Sequence, residues 1–208
     1  MKSILNYIGQ LRLYSLVDLI VLLIVVKANS HELIGAVLLH IGFLAYLESM
    51  HGHSYRERVP GQAGIIIIVL GSVLYGHVVA TTLFVFFSFL YSLKTKDYLG
   101  VFAPIARSLQ YFALIGGITG FSDRFLWIVI AAVFIRNLIG DVRDSGKDKN
   151  EKLKTIPVLL GINKNIKYIH LFAVFTTTIL WWSYSSIPIH WLFATLLVEA
   201  FSYNLTPR

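Results

Sequence analysis

The sequence predicts an all-α protein, a bundle of about eight helices that cross a membrane. Composition carries this prediction, since 56% of the 208 residues are hydrophobic and 14% are charged, against roughly a quarter charged in a soluble domain. The mean hydropathy is +0.70, and apolar runs alternate with short polar segments along the chain. There is no cysteine, which excludes disulfides, thiolate metal sites and a cysteine nucleophile.

Eight apolar segments of a single domain over residues 1–208 are predicted to be helices. The third and fourth fall short of the ~20 residues usually needed to span a bilayer, and the alternative is one unit bent at Gly76-His77. Met1–Gln10 has no signal-peptide pattern, so the first apolar run is expected to be retained. The predicted helices lie at 12–27, 31–50, 62–76, 78–93, 99–120, 124–141, 164–183 and 187–203.

The basic residues predict the orientation of this bundle. With eight helices, nearly all of the 18 Lys and Arg residues fall on one side of the membrane. Lys27 and Arg124 fall on the other side, and Arg107 lies within a helix. For this multi-pass protein the positive-inside rule therefore predicts that both termini and the polar loops lie in the cytoplasm. The net charge of +7 is then due to basic residues at the surface of the lipid bilayer, and no nucleic-acid partner is predicted. These loops lie at 51–61, 94–98 and 142–163.

Three aspartates after the sixth apolar run form the most informative motif. Asp141, Asp144 and Asp148 have the spacing i, i+3, i+7, which places them on one face of a helix, and Asn137 lies one turn earlier. Like charges on one stripe repel each other unless a cation holds them together. The motif therefore predicts Mg²⁺, a hard cation bound by oxygen and shared with a phosphate. Gly140 is expected to leave backbone room for that phosphate or ion.

Three further segments accompany the aspartates. Arg58-Val59-Pro60-Gly61 comes first, Tyr91-Ser92-Leu93-Lys94 precedes Gly100, and Lys154-Thr155-Ile156-Pro157 follows the aspartates. In order and approximate spacing these motifs resemble those of the UbiA superfamily of intramembrane prenyltransferases, and the resemblance covers most of the chain.

The resemblance implies a fold, a reaction and a set of site residues. The fold is a UbiA-like helical bundle, and the reaction transfers an isoprenyl group from an allylic diphosphate donor to a hydrophobic acceptor, aromatic or lipid-like, with Mg²⁺. The implied catalytic residues are Asp141, Asp144 and Lys94, and the implied ligands of the metal are Asp141, Asp144 and Asp148. The implied substrate contacts are Arg58, Tyr91, Lys94, Asn137 and Lys154.

The first metal motif of the family is absent from this chain. Where the family carries three spaced aspartates, residues 46–55 contain none, and Glu48, His51 and His53 remain as candidate ligands. The two histidines suit a softer ion such as Zn²⁺, or belong to a polar loop without a ligand. Eight predicted helices are also one fewer than the family has. This departure leaves two functions open, an enzyme with one acidic cluster and a non-catalytic UbiA-like protein that binds lipid or quinone.

Other classes of membrane protein fit the sequence less well. A CDP-alcohol phosphotransferase would carry an Asp-Gly dipeptide, which does not occur here. A transporter would need polar groups accessible from both sides, whereas nearly all the polar chemistry is predicted on one face. Simpler alternatives for the motif residues are a hydrated loop of mixed charge for the aspartates and a membrane-surface anchor for Lys94.

Ionisable residues within the predicted helices are expected to face the bundle interior or an interface. A charge in the bilayer interior costs about 3 kcal/mol or more, so such groups avoid lipid. Arg107 is predicted to pair with Asp18 or Glu199, and the alternative for Glu199 is solvation near the end of its helix. The residues concerned are Asp18, His40, Arg107, His170 and Glu199.

Overall fold

Every regular element in the described part of the chain is a helix, which confirms the all-α class. The computed structural model describes residues 12–50, 60–95, 97–162 and 166–205. The α helices are α1 (Leu13–Val25), α2 (Ser30–Met50), α3 (Gly61–Tyr75), α4 (Val78–Ser92), α5 (Ala103–Thr119), α6 (Phe125–Asn150), α7 (Ile156–Leu159), α8 (Lys167–Ser183) and α9 (Ile189–Leu205). Two 3₁₀ segments, Leu93–Thr95 and Asp97–Phe102, connect α4 to α5.

Three helices are long and apolar enough to cross a membrane. They are α2 (Ser30–Met50), the stretch Leu99–Thr119, which joins the end of the second 3₁₀ segment to α5, and α6 (Phe125–Asn150). Their most apolar windows have mean hydropathies of 1.7, 1.3 and 1.9. The helices α1, α3 and α4 are apolar but have only 13, 15 and 15 residues. Length and composition therefore show three membrane-length helices within the described ranges.

The helix α6 continues to Asn150, although the sequence predicts its end at residue 141 and a loop from 142. The predicted end was wrong because the sequence offers no glycine at the true end. Instead Lys152 adopts the left-handed conformation, with φ 59°. Its N–H donates to the carbonyl of Lys149 at 3.1 Å, and the N–H of Leu153 donates to that of Asp148 at 2.8 Å. This bonding pattern closes a helix as a glycine would.

The helix α5 begins at Ala103, four residues later than predicted. Pro104 fixes this start, because proline has no N–H to donate and is tolerated only in the first turn of a helix. The preceding residues from Asp97 form a 3₁₀ segment instead. The short helix α7 was not predicted, and it carries Pro157 in its first turn for the same reason.

The chain forms two compact units. The first comprises Met1–Gly76 with Val174–Arg208, and the second comprises His77–Ala173. The prediction of one domain over the whole chain stays a prediction. The candidate site lies in the second unit.

In the first unit, α2 and α3 pack through glycines with closely approaching backbones. A Cβ added to Gly71 would lie 2.7 Å from the backbone nitrogen of Leu39, and a Cβ added to Gly64 would lie 2.6 Å from that of Tyr46. These separations are too short for any side chain, so both positions require glycine. Small residues at the interface are how helices approach closely in membranes.

The first unit also buries ionisable side chains among its helices. The indole nitrogen of Trp181 donates to Asp18 Oδ1 at 2.8 Å, and the hydroxyl of Thr178 donates to Glu199 Oε1 at 2.5 Å. Asp18 and Glu199 are both 0% exposed. The expected interior location is confirmed for Asp18, whereas solvation of Glu199 was wrong, because Thr178 reaches it from α8. His40 is buried as well, with Nε2 at 3.2 Å from the hydroxyl of Ser15.

Candidate functional site

Two of the three motif aspartates face the interior of the second unit. Asp141 and Asp148, two turns apart on α6, are 7% and 4% exposed. Asp144 lies on the same helix but is only half-buried. The continuation of α6 past residue 141 sets the distance between the two buried carboxylates, because both lie on one rigid helix.

Lys94 connects these two carboxylates. It lies in the 3₁₀ segment after α4, and its Nζ is 2.8 Å from Asp141 Oδ1 and 3.3 Å from Asp148 Oδ2. Burial by itself would lower the pKa of the Lys94 ammonium, but Asp141, Tyr91 and Asp148 raise it above its ordinary value. Lys94 is therefore charged, and it acts as a counter-ion that allows both carboxylates to lie close together.

Asp144 belongs to a different group of side chains. Its carboxylate accepts two hydrogen bonds from the guanidinium of its neighbour Arg143, from Nε at 2.7 Å and from Nη2. Arg143 Nη1 lies 3.0 Å from Nδ1 of the buried His170. Since a guanidinium can only donate, this imidazole nitrogen accepts. The predicted set of three aspartates is thus divided, with Asp141 and Asp148 on Lys94 and Asp144 on Arg143.

The space beside Gly140 is occupied by His170. A Cβ added to Gly140 would lie 3.0 Å from His170 Nε2. The expectation that Gly140 leaves room for a phosphate or ion was wrong, because α8 places an imidazole there. Gly140 instead allows α6 and the histidine of α8 to pack closely.

Two predicted motif segments meet at Gly100, those that contain Lys94 and Lys154. A Cβ on this residue would lie 2.8 Å from the carbonyl oxygen of Lys154 and 3.3 Å from that of Lys94. The lysine-containing turn after α4 and the turn before α7 are therefore in backbone contact through a residue without a side chain. Together with the ion pairs of Lys94, this packing brings segments far apart in sequence to one place.

The remaining predicted contacts have different outcomes. Tyr91 is half-buried and contributes to raising the pKa of Lys94. The amide of Asn137 donates to the carbonyl of Val133 on its own helix at 2.7 Å. The side chain of Lys154 is half-buried. Glu48 lies in the first unit, 3.5 Å from Arg12. Arg58, His51 and His53, like both chain termini, lie outside the described residues.

The structure adds residues that sequence reasoning did not single out. Ser145 is 1% exposed on α6, and its position four residues after Asp141 was a signal available in the sequence. Arg136 is also buried on α6, with its guanidinium over the ring of Tyr111 at 5.4 Å and Nη2 at 3.3 Å from the phenol oxygen. Arg107, which the sequence already singled out as an ionisable residue within a helix, has its guanidinium over the same ring at 5.5 Å and donates to Gln110 at 2.6 Å.

The oxygen atoms of this site fit a hard cation in part. Oδ2 of Asp141 is buried and has no hydrogen-bond partner among the described residues, and carboxylate oxygen is what Mg²⁺ prefers. Within the same residues, however, no three acidic, histidine or cysteine side chains converge as a ready-made metal site. Two carboxylates are available, and a cation there would have to share them with Lys94.

Comparisons with known proteins leave the resemblance to rest on its motifs. No family model, no curated protein and no solved structure matches this chain.

Proposed function

We propose that this protein is a membrane prenyltransferase of the UbiA type, which transfers an isoprenyl group from an allylic diphosphate to an aromatic or lipid-like acceptor. The observation that carries the proposal is the contact of Lys94 with Asp141 and Asp148. It joins two sequence motifs, 47 residues apart at Lys94 and Asp141, into one charged cluster at the ends of apolar helices. Such a cluster is suited to hold a diphosphate beside a hydrocarbon chain.

Lys94 supplies the fixed positive charge of the proposed reaction. An ammonium has three N–H donors. The carboxylates of Asp141 and Asp148 account for two of these donors, so we assign the third to a phosphate oxygen. A charge-assisted contact of this kind stabilises the pyrophosphate as negative charge develops on it.

The reaction requires a bond to break and another to form. The bond between C1 of the isoprenyl group and the diphosphate oxygen breaks, and its electron pair leaves with pyrophosphate. The nucleophilic atom of the acceptor then bonds to C1 and releases its proton to water. Mg²⁺, when bound, neutralises part of the charge on the leaving pyrophosphate. Asp141 and Asp148 are the residues that would hold it.

The proposed location is a bilayer crossed several times, with the site at the cytoplasmic surface. Beyond the three membrane-length helices, large apolar side chains are exposed on shorter ones. Val73 and Val78 are 76% and 79% exposed, and Phe193 and Leu197 on α9 are 66% and 71% exposed. Surfaces of this composition are suited to contact lipid. The distribution of Lys and Arg supports the cytoplasmic side for the site.

The test is pyrophosphate release by the purified protein in detergent. Farnesyl and geranylgeranyl diphosphates are supplied with and without Mg²⁺, against a panel of aromatic and lipid-like acceptors. The wild type is expected to release pyrophosphate, and Asp141→Asn to reduce the rate about 100-fold or more. Asp123→Asn is the matched control, because Asp123 bonds the N–H of Phe125 at 2.9 Å, at the opposite end of α6, and asparagine can do the same. Equal rates for both variants would contradict the assignment.

The second candidate function is a non-catalytic UbiA-like protein that binds lipid or quinone. The same ion pairs favour it, because a lysine neutralised by two carboxylates is also a structural clamp. This function would be favoured over the enzyme by two results together. The wild-type protein would release no pyrophosphate with any donor and acceptor, and it would retain a co-purified lipid or quinone.

A further inference from the structure

Ser145 lies on α6 between the two carboxylates that contact Lys94. It follows Asp141 by four residues and precedes Asp148 by three. At about 100° per residue, the three side chains share a stripe roughly 60° wide. All three are buried, and Ser145 is 1% exposed. The stripe therefore presents two carboxylates and one hydroxyl to the interior of the second unit.

The hydroxyl of Ser145 departs from the usual behaviour of serine in a helix. A helical Ser or Thr commonly donates to the carbonyl one turn back, as Ser72, Ser108 and Thr195 do at 2.7, 2.7 and 2.8 Å. Ser145 Oγ has no hydrogen-bond partner among the described residues, and the same is true of Asp141 Oδ2. Buried polar atoms left in this way are costly, so two of them one turn apart indicate a place for a ligand.

In the structure, the cation beside this stripe is the ammonium group of Lys94. Lys94 takes Oδ1 of Asp141 and Oδ2 of Asp148, and leaves Oδ2 of Asp141 on the same helix face as the hydroxyl of Ser145. Both remaining atoms are oxygen, the donor type of Mg²⁺ and Mn²⁺. Asp144 is not available to them, because its carboxylate binds Arg143.

We propose that Asp141, Ser145 and Asp148 bind a divalent cation of the Mg²⁺ class, with Ser145 in the place that the sequence predicts for Asp144. The inference deepens the proposed function, since it names the metal ligands of the same site. A cation bound there competes with Lys94 for the carboxylates. Metal affinity consequently depends on Lys94 in the opposite sense to diphosphate affinity, falling when the lysine is present.

The test uses metal preference as its readout. The chain has no cysteine, so Ser145→Cys introduces a single thiol, a soft ligand that favours Cd²⁺ over Mn²⁺. Binding of Mn²⁺ alone, and of Mn²⁺ with inorganic pyrophosphate, is followed by the loss of the free-ion electron paramagnetic resonance signal. Ser145→Cys is expected to lower Mn²⁺ affinity about tenfold or more and to raise Cd²⁺ affinity relative to the wild type.

Further variants separate a ligand from a structural role. Ser145→Ala removes only Oγ and is expected to lose Mn²⁺ affinity without gaining Cd²⁺ affinity. Asp144→Asn, which retains an acceptor for Arg143, is expected to bind Mn²⁺ as the wild type does, and Lys94→Met is expected to bind it more tightly. Unchanged Mn²⁺ affinity in both Ser145 variants, a loss in Asp144→Asn equal to that in Asp141→Asn, or absence of Mn²⁺ binding by the wild type would each overturn the proposal.

These measurements involve no prenyl donor, so they are independent of the proposed reaction. A wild type that binds Mn²⁺ with the expected pattern but releases no pyrophosphate from prenyl diphosphates would retain the metal site and remove the enzyme. Release of pyrophosphate by the wild type, with no change of metal preference in Ser145→Cys, would retain the enzyme and remove the proposed metal site.

Discussion

Lys94 shows how one residue determines the electrostatics of the candidate site. Its side chain is 16% exposed, and those of Asp141 and Asp148 are 10% and 5% exposed. Removing one partner of a buried ion pair leaves a charge without compensation, at a cost of about 3–5 kcal/mol. The remaining exposure of Lys94 allows water to recover part of that cost. Breaking these ion pairs is therefore expected to cost more free energy than breaking an ion pair at the protein surface.

Replacing Lys94 by methionine tests this ranking. Methionine retains an apolar side chain and removes the charge, so Lys94→Met is expected to lower the free energy of unfolding by about 2–3 kcal/mol. Lys147→Met is the control, because Lys147 lies 3.7 Å from Glu151 with both side chains about 30% exposed, and such a pair contributes about 0.5 kcal/mol or less. Reversible denaturant unfolding in detergent measures both. Losses of equal size would show that Lys94 is no more than a surface cation.

The division of the aspartates shows what a motif can and cannot predict about single residues. Helical spacing correctly places Asp141 and Asp148 on one face, because that depends only on the geometry of α6. It ranks Asp144 with them, whereas the structure pairs Asp144 with Arg143. Which neighbour a carboxylate selects depends on side-chain rotamers and on residues brought from other helices, and neither is encoded in spacing.

At the scale of elements, the contact of α2 with α3 depends on glycine at the interface. A glycine inside a helix costs about 1 kcal/mol relative to alanine. Gly64 and Gly71 nevertheless lie within α3, each with a backbone of α2 where a side chain would be. Dispersion contacts between the two backbones offset the intrinsic preference for alanine.

Gly71→Ala is consequently expected to destabilise the protein, against the prediction from helix propensity. The added methyl group would overlap the backbone of Leu39, and overpacking of this kind costs about 1–3 kcal/mol. Gly61→Ala on the same helix is the control, because among the described residues its Cβ would meet only the side chain of Ser49, at 3.0 Å from Oγ. Unfolding in detergent compares the two. A more stable Gly71→Ala variant would exclude close packing at this position.

The sequence predicted the helices better than their ends. Apolar composition located all of the longer helices, since burial in a protein or lipid depends on it directly. The end of α6 was missed by nine residues because Lys152, and not a glycine, takes the left-handed position. The start of α5 was missed although Pro104 indicates it, because apolar residues continue on both sides of the proline.

At the scale of the whole molecule, orientation in the membrane is the property on which the proposed function depends. A diphosphate donor is too polar to cross a bilayer unaided, so the charged cluster must face the compartment that contains the donor. The bias of Lys and Arg along the sequence predicts that this compartment is the cytoplasm.

Single cysteines test this orientation without background, because the chain contains none. Lys149→Cys, exposed near the end of α6, is expected to react with a membrane-impermeant maleimide only from the cytoplasmic side. Ser122→Cys, exposed in the turn before α6, is expected to react only from the outside. Intact cells and inverted vesicles provide the two directions. Labelling of both positions from the same side would contradict an odd number of crossings between them.

Because α6 is continuous, its helical pitch fixes the spacing of the aspartate motif. Carboxylates on a loop can drift with respect to each other, whereas Asp141 and Asp148 are held in phase by nearly two complete turns. A single alanine inserted between residues 142 and 147 would advance Asp148 by about 1.5 Å and rotate it by about 100°. Lys94 could then reach only one carboxylate. Apart from Ser145, this stretch should therefore tolerate many exchanges of side chain but no change of length.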